Sequence, residues 1–206
     1  LYAALGVTSA ARHRDRTGEG QSLTIALSDV ALAMAGNLGF LAEAQVNGVD
    51  RERVGNHIYG TFGRDFECAD GRVMVVALTT RHWTDLLAAT QTADRVAQLA
   101  AVVNADFSDE AQRFKHREVL CSLMEPWFAQ RSMAHVEVAL GVTSVVWAPY
   151  QSFTQVVQTL RDGSANTRIF SSLVQPGVGE HLAPGLPLIS QGHPVAAQLA
   201  PALGQH

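Results

Sequence analysis

The sequence predicts an α/β or α+β chain in which a compact central domain is flanked by pieces of another. Apolar residues at helical spacing alternate with short strand-type runs, Ala69-Asp70-Gly71-Arg72 reads as a tight hairpin turn, and a glycine- and proline-rich tail closes the chain. With 206 residues, 47% of them hydrophobic, a core can form without covalent staples.

The first helix is amphipathic from Leu1 to about Arg16 and is stopped by the glycine turn Thr17-Gly18-Glu19-Gly20-Gln21. Residues 22–27 alternate as a strand should. Ser28 is placed to cap a second helix, with Val30, Leu32, Met34, Leu38, Phe40 and Leu41 apolar and Gly36 and Gly39 permitting close helix packing, ending near Asn47-Gly48. Residues 49–53 read as a polar linker, and a new domain is expected to begin there. A glycine-punctuated loop, Gly55 to Gly63, then runs directly into a hairpin of residues 65–68 and 73–78.

Helices are expected at 84–90, 95–103 and 109–130, the last with Phe114, Val119, Leu123 and Trp127 as its core stripe and Pro126 interrupting it near the end. A short helix at 132–140, a strand at 142–147 and a helix at 153–160 follow. The tail, with Pro176, Gly177, Pro184, Gly185, Pro187 and Pro194, is too broken for helix. It is also too apolar for disorder, so it should lie extended across another surface. Both ends read as cut, so the chain is expected to be a fragment, with apolar surface left exposed and a tendency to self-associate.

The net charge of −4 gives no electrostatic footprint for nucleic acid. The one basic cluster, Arg12-His13-Arg14-Asp15-Arg16, suits a helix C-terminus. No apolar run is long enough to span a bilayer, and no signal peptide opens the chain. Cys68 and Cys121 are far apart with no metal-ligand spacing, and His13, His82, His116, His135, His181 and His193 are scattered; no metal is expected, and the cytoplasm is the default location.

Chemistry concentrates in the loop and the strand after it. Asp65 and Glu67 project from one face of a strand, as an acid–base pair could or as ordinary surface carboxylates do. Tyr59 and Phe62 could flank a planar ligand or anchor the loop to the core, and His57 could touch a ligand. The loop precedes a strand and lacks Gly-Lys-Ser/Thr, which excludes Walker and Rossmann phosphate motifs. Trp83, Trp127 and Trp147 sit in apolar periodic contexts and read as core.

Several separate words of the chain together resemble the family III CoA-transferases, the CaiB/BaiF family, over almost its whole length. They are Arg12 to Gln21, which matches Arg-x-x-Thr-Gly-x-Gly-Gln; Arg53, Gly55 and Asn56, which match Arg-x-Gly-Asn; Asp70-Gly71 in the hairpin; and the closing Ala200 to His206. The words Tyr59-Gly60-x-Phe62-Gly63-Arg64-Asp65-Phe66-Glu67, Glu125-Pro126-Trp127-Phe128 and Trp147-Ala148-Pro149-Tyr150 resemble the branch that moves CoA between the two carboxyl groups of one dicarboxylate.

The resemblance implies an interlocked homodimer with a Rossmann-like large domain and a small α+β domain. Residues 1–52 would end the large domain, 53–151 form the small one, and 152–206 return as a linker. An aspartate would attack the acyl-CoA thioester to give a mixed anhydride, with coenzyme A as a substrate moiety and no permanently bound cofactor. That aspartate matches a position before Leu1, and neither Asp15 nor Asp29 replaces it, so the chain alone is expected to be inactive. The implied substrate- and CoA-binding residues are Gly55, Asn56, His57, Tyr59, Gly60, Gly63, Arg64 and Asp65, with Glu67 an auxiliary catalytic carboxylate and Arg64 a candidate for a second substrate carboxylate. Glu67 also falls where α-methylacyl-CoA racemases of this fold place a carboxylate, which makes a racemase the alternative. A non-catalytic module that dimerises or binds CoA weakly is the alternative of another class.

Overall fold

Helical and strand segments alternate along the chain because apolar spacing switches between the two periods, and the computed structural model describes them for residues 1–165, 167–190, 192–202 and 204–205. Leu203 and His206 of the closing word, and the side chain of His193, lie outside the described residues. The chain divides into two units, Leu1–Gly55 and Asn56–His206.

The first unit holds α1 (Tyr2–Thr17), α2 (Leu27–Asn37) and α3 (Phe40–Asn47). Gly18, at φ +79°, ends α1 in the left-handed conformation that glycine adopts without penalty. Residues 22–27, expected as a strand, pair with no other strand among the described residues. Their alternation is real nonetheless, since Leu23 and Ile25 both lie against Gly6 of α1. A strand requires a ladder partner as well as a pattern. Ser28 is not the cap of α2: Ala26 holds that position, and Ser28 falls in the first turn. The expected single helix is two, because Gly39 at φ +82° breaks it.

The second unit is built on an antiparallel sheet of β1 (Phe62–Cys68), β2 (Gly71–Ala77) and β3 (Val146–Pro149), in that order. Packed with it are α4 (Thr80–Thr90), α5 (Ala93–Val103), α6 (Glu110–Lys115), α7 (Arg117–Ala129) and α8 (Met133–Gly141), of which α4 and α8 contact β2 and α7 contacts β1. Thr79, Asp109 and Ser132 cap α4, α6 and α8 through their side chains. The register sets Phe62 opposite Ala77, Arg64 opposite Val75 and Phe66 opposite Val73, so these residues share one face. That face carries the core, where Phe62, Phe66, Val73, Val75, Leu86, Leu120, Met124, Phe128, Val136 and Leu140 are buried.

The core stripe expected on Phe114, Val119, Leu123 and Trp127 is shifted. Residues 109–130 break at His116, and α7 restarts with Leu120, Cys121, Met124, Trp127 and Phe128 inward, leaving Val119 exposed. Pro126 does not end the helix. Its missing N–H leaves the carbonyl of Ser122, an exposed residue that water can reach. The strand expected from 142 starts at Val146, because Asp85 accepts from the Ser144 amide (2.9 Å) and hydroxyl (2.6 Å) and Thr143 donates to Leu140 O (2.7 Å), prolonging the helix exit.

After β3 comes α9 (Phe153–Arg161), started by a reciprocal capping box between Ser152 and Gln155. The tail is not one extended segment. Gly177 (φ +78°) and Gly179 (φ +101°) let it fold back, giving a hairpin of β4 (Phe170–Gln175) and β5 (Gly179–Pro184). A second hairpin joins β6 (Leu186–Ser190) to β7 (His193–Val195). Among the described residues, no helix is long and apolar enough to cross a membrane.

Candidate active site

The glycine loop is shaped by two kinds of glycine. Gly55 and Gly60 have φ of +59° and +79°, turns that other residues adopt only with strain. Gly63 has no such angle but is crowded: a Cβ there would stand 2.9 Å from Ile58 Cγ1, 3.1 Å from Val75 O and 3.2 Å from Val76 Cα. The Ile58 amide donates to Gly63 O at 2.8 Å and the Thr61 hydroxyl to Ala77 O at 3.1 Å, which fixes the loop to the start of β1 and the end of β2.

Side chains of the loop and β1 then reach α6 and α7. Tyr59, 46% exposed, sets its ring edge-on to Phe114 at 5.0 Å. His57 Nε2 lies 3.0 Å from Glu118 Oε1. Burial lowers the His57 pKa, the nearby Arg64 and Arg117 charges lower it further, and Glu118 opposes both. Arg64, in the core-face row between Phe62 and Phe66, donates from Nη1 to Glu125 Oε1 (3.2 Å) and from Nε to Asp65 O (3.2 Å). Glu118 and Glu125, two helical turns apart, thus hold His57 and Arg64 along one side of α7.

On the other face of β1, Asp65 and Glu67 project together, as alternation requires, but their surroundings differ. Asp65 is buried and accepts from Asn56 Nδ2 at 3.0 Å and from Arg72 Nη1. The Glu67 side chain is 79% exposed, 3.8 Å from Arg72 Nη2. Both Asp65 oxygens are therefore engaged, and it is no free base. Phe62 does not flank a ligand: it is fully buried, its ring 5.0 Å from that of Trp83, so it anchors the loop to the core. Burial pushes the Cys121 thiol up to about 12 and raises that of Cys68, so neither is poised as a thiolate. Among the described residues, no group of three or more His, Cys, Asp or Glu could hold a metal ion.

The fold gathers words that are distant in sequence. Arg64 meets Glu125, Phe66 stacks on Phe128 with ring centroids 4.4 Å apart, Trp147 and Pro149 pair with Val75 and Val73, and the Tyr150 amide donates to Arg72 O at 2.8 Å. Sequence reasoning missed Glu118 and Arg72. Glu118 is signalled only by its seven-residue spacing from Glu125, and Arg72 by lying across the hairpin from Glu67.

Asp65 makes a test of this network. Burial alone would raise its carboxyl, but hydrogen bonds from Arg72 and Asn56, with the Arg72 charge, outweigh that and hold it below the ordinary 3.8. A carboxyl depressed by folding contributes stability that is fully present above its unfolded-state value and lost as pH falls through the folded one. Arg72→Met is expected to move acid unfolding to higher pH, with Glu67→Gln as the unchanged control. Acid unfolding of R72M at the wild-type pH would show that Arg72 does not hold Asp65.

The model of CoA-transferase family III matches residues 1–206, and the chain belongs to that family. It is 44% identical over 205 residues to the 2-methylfumaryl-CoA isomerase of Chloroflexus aurantiacus, covering 98% of this chain and 50% of that one. It is 28% identical over 208 residues to the succinyl-CoA:mesaconate CoA-transferase of Haloarcula hispanica, covering 98% and 49%. In structure it is similar to a CaiB/BaiF family protein from Brucella suis, with a TM-score of 0.66 and 19% identity over 97% of this chain and 50% of that one. The chain spans about half the length of the curated relatives it matches.

Proposed function

We propose that this chain is the loop-bearing part of an enzyme that moves CoA between the two carboxyl groups of a single mesaconate, the reaction of a 2-methylfumaryl-CoA isomerase. The observation that carries this reading is the 44% identity to a relative of that name over 98% of the chain. The convergence of the Tyr59–Glu67, Glu125–Phe128 and Trp147–Tyr150 words on one sheet supports it.

An aspartate carboxylate, expected before Leu1, attacks the thioester carbonyl and expels CoA thiolate, leaving an acyl-aspartyl anhydride. The thiolate attacks the aspartyl carbonyl, which releases the dicarboxylate and forms aspartyl-CoA. The dicarboxylate's other carboxylate attacks that thioester, expelling the thiolate again, and the thiolate takes the acyl group from the new anhydride. The Gly55–Gly63 loop shields these intermediates from water, with Gly55, Asn56, His57, Tyr59, Gly60 and Asp65 shaping it. Arg64 stands near the substrate's second carboxylate, and Glu67 is an auxiliary polar group. The whole enzyme is an interlocked homodimer with a Rossmann-like large domain and a small domain.

The test is mass spectrometry of the full-length protein incubated with mesaconyl-CoA and isotopically labelled free mesaconate. Conversion between the two regioisomers without label uptake is expected. Label uptake would indicate transfer between molecules. No conversion, with solvent deuterium entering the α-position of a 2-methylacyl-CoA, would move the assignment to a racemase, and neither reaction would leave a non-catalytic module.

A further inference from the structure

A polar cleft lies in the second unit, and the proposed function assigns it no role. It has a volume of about 220 Å³ and is lined by Thr90, Gln91, Thr92, Arg95, Leu123, Pro126, Trp127, Gln130 and Arg131. The lining holds two guanidinium groups and no carboxylate, in a chain whose net charge is −4. Elsewhere Arg14, Arg51, Arg64, Arg72 and Arg117 each lie beside an acidic side chain. Arg95, on the first turn of α5, is exposed and has no hydrogen-bond or ion-pair partner among the described residues.

Arg131 is held in place without being neutralised. Its Nη1 donates to Trp127 O at 2.8 Å, and its guanidinium lies 4.4 Å from the centre of the buried Trp127 ring. The backbone of Arg131 is bonded too, its carbonyl accepting from the Ala69 amide and its amide donating to Phe128 O, both at 2.9 Å. The buried hydroxyls are engaged: Thr90 bonds Leu86 O at 2.7 Å, and the Thr90 and Thr92 oxygens are 2.8 Å apart. What remains available in the cleft is therefore donor chemistry from Arg95, the free edge of Arg131, and the amides of Gln91 and Gln130. Such a set, positive, fork-shaped and free of competing carboxylates, matches an oxyanion that presents several oxygens at once.

We propose that this cleft between α4, α5 and α7 binds a phosphate group, either as the free ion or as a phosphate ester. Arg95 and Arg131 would supply the charge, and Gln91 and Gln130 would orient the group. The proposal is independent of the CoA-transfer reading and stands or falls separately.

The test is calorimetric titration of the full chain with inorganic phosphate and with methyl phosphate, at ionic strength held constant with chloride. Saturable one-to-one binding of at least one of them is expected, weakened about tenfold or more in Arg95→Gln, as loss of one charge-assisted fork implies. Arg95→Gln should unfold in urea as the wild type does, because Arg95 is exposed and unpaired, and Arg81→Gln, outside the cleft, should bind as the wild type does. Methyl phosphate binding as tightly as phosphate would identify an ester as the ligand; binding of phosphate alone would identify the free ion. Absence of saturable binding by both, or equal weakening in Arg95→Gln and Arg81→Gln, would overturn the proposal.

Discussion

Phe128→Ala should destabilise the second unit by about 3–5 kcal/mol, the usual range for truncating a buried aromatic. Phe128 is fully buried on α7, with its ring stacked on Phe66 of β1 at 4.4 Å and set edge-on to Trp127 at 4.9 Å. It therefore joins the helix that carries Glu118 and Glu125 to the strand that carries Arg64. Its removal opens a cavity at the centre of the α7–β1 interface and should loosen the Arg64–Glu125 contact as well. Equilibrium unfolding in urea measures the effect, with exposed Val119→Ala within about 0.5 kcal/mol of the wild type as control. A cost below about 1 kcal/mol for F128A would show that this interface is not where the unit's stability lies.

Gly63→Ala should cost about 1–3 kcal/mol, an overpacking penalty. Two of the three atoms that the new methyl would meet, Val75 O and Val76 Cα, belong to the backbone of the paired strand, which cannot swing away as a side chain can. The third, Ile58 Cγ1, belongs to the loop, so the strain should be relieved by pushing the loop off β1 and breaking the bond from the Ile58 amide to Gly63 O. Faster hydrogen exchange at Ile58, together with loss of activity in the full-length protein, is the expected signature. Gly60→Ala provides the contrast. Its Cβ would meet nothing within 4 Å, so only the left-handed backbone, at φ +79°, costs about 1–2 kcal/mol. Unchanged exchange at Ile58 in G63A would mean that Gly63 is not what seats the loop.

Local signals suffice where one segment contains its own reason. The turn at Ala69-Asp70 is such a case, its register setting Cys68 directly opposite Gly71, and so are the helices expected at 132–140 and 153–160, whose first turns are capped by the adjacent Ser132 and Ser152. The glycine loop was legible because glycine spacing reports backbone shape directly. Local signals do not suffice where a distant partner decides. Residues 22–27 alternate like a strand yet have no ladder partner among the described residues, and the stripe of α7 turned because the break at His116 reset its phase. Phe62 is ambiguous in sequence between ligand and core, and its full burial against Trp83 assigns it to the core.

By itself the sequence determined the alternation of helices and strands, the hairpin, the glycine loop and the membership in a family of CoA-transferases, since each rests on local pattern or on matching words. The tertiary structure decided which charges meet. Asp65 and Glu67 look equivalent as letters two positions apart, but one is buried and held by Asn56 and Arg72 while the other stands in water. Likewise nothing local ties His57 to Glu118 or Arg64 to Glu125, residues about sixty positions apart. An ion pair depends on separation in space and on the solvent around it, and both are fixed only when α7 packs against β1.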